Sequence, residues 1–214
     1  KHIISIINNF NKIKSNINNK NVKIIAVSKT FTIEHIKPLI DHGHLHFGEN
    51  KVQEADSKWS LLKKDNKEIK LHLIGKLQSN KAKKAVELFD YIHSLDNKKL
   101  ADMLSKNEKI LNKNLKYFIQ VNIGNENQKS GITFAQLDTF YTYCTKEKNL
   151  NVIGLMAIPP NDNNTKKYFQ YLYETNTSLG LSELSMGMSS DYKLALEYHS
   201  TYLRIGSLIF GSRT

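Results

Sequence analysis

Cysteine is almost absent from this sequence. Cys144 stands alone, which excludes an intramolecular disulfide. Proline (three) and glycine (ten) are also scarce, which excludes a long linker or a low-complexity hinge. Arginine is nearly missing. Of 31 Lys and Arg residues only Arg204 and Arg213 are Arg, which leaves 29 lysines against 20 Asp and Glu and a formal net charge of +11. Surfaces that read nucleic acid usually carry Arg, whose planar fork binds phosphates and bases bidentately. Here the lysines scatter among Asn and Ile over the whole chain, so a solvated lysine coat explains the charge better than a specific nucleic-acid face. No apolar run approaches the roughly 18–20 residues of a membrane span. Residues 1–10 are broken by Ser5, Asn8 and Asn9 and lack the apolar core of a signal peptide. A cytoplasmic monomer without membrane or specific nucleic-acid partners is the expectation. Internal repeats are absent too.

What is present is an alternation. Short apolar runs at 22–28, 45–48, 69–74, 90–94, 115–123, 152–158, 183–187 and 202–205 read as strands. Amphipathic stretches at 33–41, 52–63, 80–88, 98–111, 134–147, 165–179 and 192–199 read as helices, and a further helix over 3–18 precedes the first strand. Eight strands alternating with helices imply parallel pairing through right-handed crossovers. The repeat of about 27 residues is slightly shorter than the roughly 31 of an ordinary (β/α)8 TIM barrel. An open doubly wound sheet is the rival, and the missing Gly-x-Gly-x-x-Gly after strand one counts against it.

A barrel would place functional residues on the loops after its strands. The unusual residues fall there: Lys29 after strand one, Glu49 and Asn50 after strand two, Gly75 after strand three, Lys129 after strand five, Met156 and Pro159 at strand six, Met188 and Ser189 after strand seven, Gly206 and Ser207 after strand eight. In Ile24-Ile25-Ala26-Val27-Ser28-Lys29 a buried strand runs into a lysine. Burial disfavours the charged ammonium, and a neutral amine can attack an aldehyde. A surface lysine that ends a strand fits the same pattern. Arg204 alternates with Ile205 at the last strand end, ahead of Gly206 and Ser207, where this fold commonly holds phosphate. An exposed Arg beside a Gly-Ser turn is the plainer reading. Ser189 and Ser190 stand where a helix should begin, with Asp191 in its first turn, suited either to capping or to an anion. His42, His44 and His46 alternate as zinc ligands can, but they sit before and at the start of strand two, the wrong end for barrel chemistry, and a polar His-rich turn explains them. Cys144, Trp59 and the tyrosines at 168, 171 and 173 read as packing residues.

Taken together, these stretches resemble the YggS/PROSC family of proteins that bind pyridoxal 5′-phosphate (PLP) and serve its homeostasis. The resemblance rests on Ala26-Val27-Ser28-Lys29-Thr30, Phe47-Gly48-Glu49-Asn50-Lys51-Val52-Gln53-Glu54 and His72-Leu73-Ile74-Gly75-Lys76-Leu77-Gln78-Ser79-Asn80-Lys81. It continues through Val121-Asn122-Ile123, residues 126–131, Gly154-Leu155-Met156-Ala157-Ile158-Pro159, Ser185-Met186-Gly187-Met188-Ser189 and Arg204-Ile205-Gly206-Ser207. It departs at His199, where the family often has Gly, at Leu71 (often Trp) and at Gly124 (often Ser).

The resemblance implies one α/β domain over 1–214: a single (β/α)8 TIM barrel of the alanine racemase N-terminal domain type, with an extra N-terminal helix. It implies Lys29 as the Schiff-base lysine and Arg204 facing the pyridine nitrogen. Ser189, Gly206 and Ser207 would contact the phosphate, with Asn50, His72 and Met156 as pocket wall. PLP is then the cofactor, and apo forms of PLP-dependent enzymes are the candidate partners. An Arg at the ring nitrogen keeps it unprotonated and weakens carbanion chemistry. The sequence stops at Thr214 without the second domain from which racemases draw a tyrosine base. Binding, buffering or delivery of PLP with little turnover is therefore the expectation, no residue being assigned a catalytic or metal-binding role. A single-domain amino-acid racemase-like enzyme is the alternative.

Overall fold

The computed structural model describes residues 2–127 and 130–212. Helix α1 (His2–Ser15) leads into β1 (Lys23–Val27), α2 (Ile33–Asp41), β2 (His46–Glu49), α3 (Val52–Asp65) and β3 (Lys70–Leu73). A 3-10 turn at Ser79–Lys81 opens α4 (Ala82–Leu88), followed by β4 (Tyr91–Leu95), α5 (Lys98–Leu111) and β5 (Lys116–Gln120). Then come α6 (Phe134–Thr142), β6 (Asn151–Met156), α7 (Thr165–Ser178), β7 (Glu183–Ser185), α8 (Tyr192–Glu197), β8 (Tyr202–Ile205) and the short α9 (Ser207–Phe210).

The eight strands pair in chain order, all parallel, and close where β1 meets β8 with Ile25 opposite Arg204. Closure decides between barrel and open sheet, because no strand edge is left unpaired.

Local chemistry sets the helix starts. Thr32, Asn97 and Thr133 accept hydrogen bonds from the backbone N–H of His35, Leu100 and Gln136, each satisfying an otherwise orphaned donor. The helix expected over 134–147 widens at its end: α6 stops at Thr142 and a five-residue π-turn runs from Tyr143 to Glu147. His199 has φ 70°, the left-handed conformation that glycine adopts most freely and His tolerates better than most.

Strand pleat divides the core in two. Ile24, Phe47, Leu71, Ile92, Ile119 and Leu203 face outward and pack against the helices. Ile25, Tyr91, Phe118, Met156 and Tyr202 fill the barrel interior. Polar groups share the interior: His72 and His93 are fully buried and Arg204 is 2% exposed. Cys144 is a buried free thiol, and burial pushes its pKa up to about 12, so it packs as a small apolar residue. No described helix is long and apolar enough to cross a membrane.

Candidate functional site

The loop after β1 carries Lys29, half-buried at the barrel rim. The next residue, Thr30, has φ 66°, a strained conformation for a β-branched side chain. Helix α3 holds that strain. The Glu54 carboxylate accepts from Thr30 N at 2.5 Å. Lys58 donates to the carbonyls of Ser28 at 2.6 Å and Phe31 at 2.8 Å. Lys58 in turn pairs with Glu49 at 2.9 Å and Glu54 at 3.2 Å. Glu49 is fully buried and also accepts from Ser28 Oγ at 2.5 Å and Trp59 Nε1 at 3.0 Å. A two-turn stretch of α3 thus clamps the segment that presents Lys29. In the sequence only the amphipathic period of α3 was legible. Its clamping role was not, although Glu49 and Glu54 lie in one of the stretches that carried the resemblance.

Across the mouth, Arg204 extends from β8. It donates to Ser185 Oγ at 2.5 Å and to Ala157 O at 3.0 Å. Burial lowers its pKa to about 10, so it stays cationic at neutral pH. Among the described residues no carboxylate forms an ion pair with it. The loops after β7 and β8 are tied together where Leu208 N donates to Ser189 Oγ at 3.3 Å. Gly75 lets the loops after β2 and β3 touch, since a Cβ there would lie 2.3 Å from the carbonyl oxygen of Asn50.

These elements enclose a cavity of about 460 Å³, within the usual range for small-molecule sites. Lys29, Asn50, Ser189, Arg204, Gly206 and Ser207 all line it, joined by Lys76, Gln120 and Ser130, which sequence reasoning did not assign. Three larger clefts, of about 850, 740 and 660 Å³, contain neither Lys29 nor Arg204. The smaller cavity is the site, because among the described residues it gathers the loops after β1, β2, β3, β5, β6, β7 and β8 at the barrel's C-terminal rim.

The structure corrects several expectations. His72 and Met156 do not line the cavity. Both side chains turn into the barrel interior, where Met156 packs with Ile25 and Phe118. Ser189 and Ser190 precede α8, as expected, but neither is its cap residue. Asp191 occupies the cap position, and its Oδ1 accepts from Met188 N at 2.7 Å. The histidines before and at the start of β2 are not merely a polar turn. His46 reaches inside the barrel to His72 at 2.9 Å, and burial lowers the pKa of both His44 and His46 to about 4. Among the described residues no three His, Cys, Asp or Glu side chains group as a metal would require. Lys129 lies outside the described residues.

A parallel barrel with a lysine and a buried arginine facing one cavity at its C-terminal rim defines a class, and the chain's similarities agree with it. The alanine racemase N-terminal domain family matches residues 2–214. The pyridoxal phosphate homeostasis protein of Aquifex aeolicus is 38% identical over 200 residues, covering 89% of this chain and 87% of that protein. The protein of the same name from Escherichia coli is 35% identical over 201 residues, covering 90% and 86%. The chain therefore belongs to the alanine racemase N-terminal domain family and, within it, to the pyridoxal phosphate homeostasis proteins. Among solved structures, PipY of Synechococcus elongatus, determined with PLP bound, superposes with a TM-score of 0.88 at 35% identity, covering 96% of this chain and all of that one. An alanine racemase from Clostridium difficile shares the fold, with a TM-score of 0.77 at 13% identity over 57% of its own chain.

Proposed function

We propose that this protein binds PLP at the C-terminal rim of its barrel and serves PLP homeostasis in the cytoplasm, holding, buffering or delivering the cofactor as a monomer with little or no turnover. One observation carries the reading. A buried guanidinium with no carboxylate ion pair among the described residues and a strand-end lysine face the same 460 Å³ cavity. The residues fit the group. Arg204 has five N–H donors, of which Ser185 and Ala157 take two, so donors remain for a ring acceptor. Lys29 would hold the aldehyde carbon as a Schiff base. Ser189, Gly206 and Ser207 would hold the phosphate and Asn50 the cavity wall. The names of the relatives and the PLP in PipY support the same reading.

When bound, PLP supplies a reactive aldehyde and, once its ring nitrogen is protonated, an electron sink for carbanions. Arg204 can donate but not accept, so it favours the unprotonated nitrogen and withholds that sink. Apo forms of PLP-dependent enzymes are the acceptors this role implies.

The test offers the PLP-loaded protein separate L-amino acids and follows α-proton exchange, racemisation and transamination. In parallel it offers the loaded protein to apo-enzymes as donor. Release that reactivates an acceptor, with only background exchange, is expected. Turnover on the order of 1 s⁻¹ or faster, ordinary for an enzyme, would overturn the homeostasis role in favour of a racemase-like activity.

A further inference from the structure

A continuous chain of polar side chains crosses the barrel interior behind Arg204. Arg204 Nη1 donates to Ser185 Oγ on β7. Ser185 Oγ lies 2.8 Å from His93 Nδ1 on β4, His93 Nε2 lies 2.9 Å from His72 Nδ1 on β3, and His72 Nε2 lies 2.9 Å from His46 Nδ1 on β2. Four strands besides β8 contribute one link each. The imidazole planes are fixed by stacking, His72 on Tyr91 at 4.1 Å and His93 on Phe118 at 4.4 Å between centroids. Burial keeps His72 and His93 neutral.

Elementary donor counting then fixes the polarity. A guanidinium cannot accept, so Ser185 Oγ must accept from it. The serine hydrogen has one remaining acceptor within reach among the described residues, His93 Nδ1. A neutral His93 therefore carries its proton on Nε2 and donates to His72 Nδ1. By the same step His72 carries its proton on Nε2 and donates to His46, the half-buried outer end. The reverse polarity would leave the serine hydrogen with no acceptor. All three imidazoles thus point the electron-rich end of their dipoles toward Arg204. Aligned hydrogen bonds of this kind strengthen one another in a low-dielectric interior. A carboxylate partner would also stabilise the buried cation, but it would neutralise it and compete with an incoming acceptor. Neutral imidazoles stabilise it and leave its full charge for the cavity.

We propose that Ser185, His93, His72 and His46 form a positioning relay that orients Arg204 as an obligate donor, so that the rim selects a ring presenting a bare nitrogen lone pair over one presenting C–H at the same place. The inference rests on the PLP site proposed above and adds what sets its specificity. The four residues act through Arg204 and do not touch the ligand themselves.

The discriminating probe is 1-deaza-PLP, in which C–H replaces the ring nitrogen and everything else is kept. The wild-type protein is expected to bind PLP at least tenfold more tightly than this analogue, the loss typical of one hydrogen bond to a charged donor. Ser185→Ala and His72→Phe are expected to bring that ratio close to one by weakening PLP while leaving 1-deaza-PLP unchanged. Ser185→Thr, which keeps the hydroxyl, is expected to retain the preference. A ratio that survives Ser185→Ala, or equal losses for both ligands, would overturn the relay and leave these side chains as packing.

A second readout needs no ligand. Nitrogen NMR of the ligand-free protein is expected to show His72 and His93 protonated at Nε2 and bare at Nδ1. Protonation at Nδ1 of either would overturn the polarity, whether or not the variants fold. If the wild-type protein takes up no PLP, the proposed site and the selectivity fall together, while the tautomers still decide the relay.

Discussion

Arg204 and Lys29 sit across one cavity, yet they were legible for different reasons. Arg204 stood out because Arg is so rare here and because it ends the last strand beside Gly206 and Ser207. Lys29 was one of 29 lysines, and only its position after an unbroken apolar strand marked it. His72 was legible as a special residue but not as an interior one. The strands of a parallel barrel are apolar on both faces, so period-two patterning does not say which residues turn inward. His199 is the converse case: its φ of 70° is the conformation glycine adopts most freely, although the sequence shows only a histidine. At this scale the phosphate contacts are testable. Charge-assisted hydrogen bonds contribute about 1.5–3 kcal/mol each. Pyridoxal, which lacks the phosphate, should therefore bind several factors of ten more weakly than PLP, and Ser189→Ala with Ser207→Ala should narrow the gap. Direct titration of both vitamers checks this, and equal affinity would contradict the assignment of Ser189, Gly206 and Ser207.

Among the elements, every expected strand is present, with ends shifted by a few residues at most sites, because burial of both faces marks a strand even when its ends are unclear. The four-residue α9 was missed, since one helical turn has no period to read. So was the clamp by α3, which depends on contacts between residues some thirty positions apart. Its energetics are sharp. Lys58 is 12% exposed and Glu49 not at all. Removing the cation leaves a buried carboxylate short of its partner, a loss of about 3–5 kcal/mol when such pairs are broken. Lys58→Met should destabilise the protein by that order in urea unfolding. Adding Glu49→Gln should restore part of it, because the neutral amide no longer requires a cation. If Lys58→Met were no less stable than the wild type, α3 would not be clamping the Lys29 loop as described.

For the whole molecule, burial of four histidines couples folding to pH. Burial holds His44 and His46 near pKa 4 against the ordinary 6.5, and holds His72 and His93 well below 6.5. As pH falls through 6.5 the unfolded chain takes up protons that the folded chain refuses. Stability from these groups is therefore fully present above about pH 6.5 and declines toward pH 4, by about 1.4 kcal/mol per pH unit for each histidine kept neutral. Unfolding free energies measured between pH 7.5 and 4.5 should show this slope, and His44→Phe should reduce it by one proton's worth. A flat profile would mean that the folded protein accepts charge on these histidines. The most direct measurement of the site as a whole is chemical. The purified protein is loaded with PLP, reduced with borohydride, digested and mapped by mass spectrometry. The pyridoxyl group is expected on Lys29, with the visible absorption band of the loaded protein lost on reduction and absent from Lys29→Ala. Label found chiefly on another lysine, or an unchanged band in Lys29→Ala, would contradict the placement of PLP at this rim.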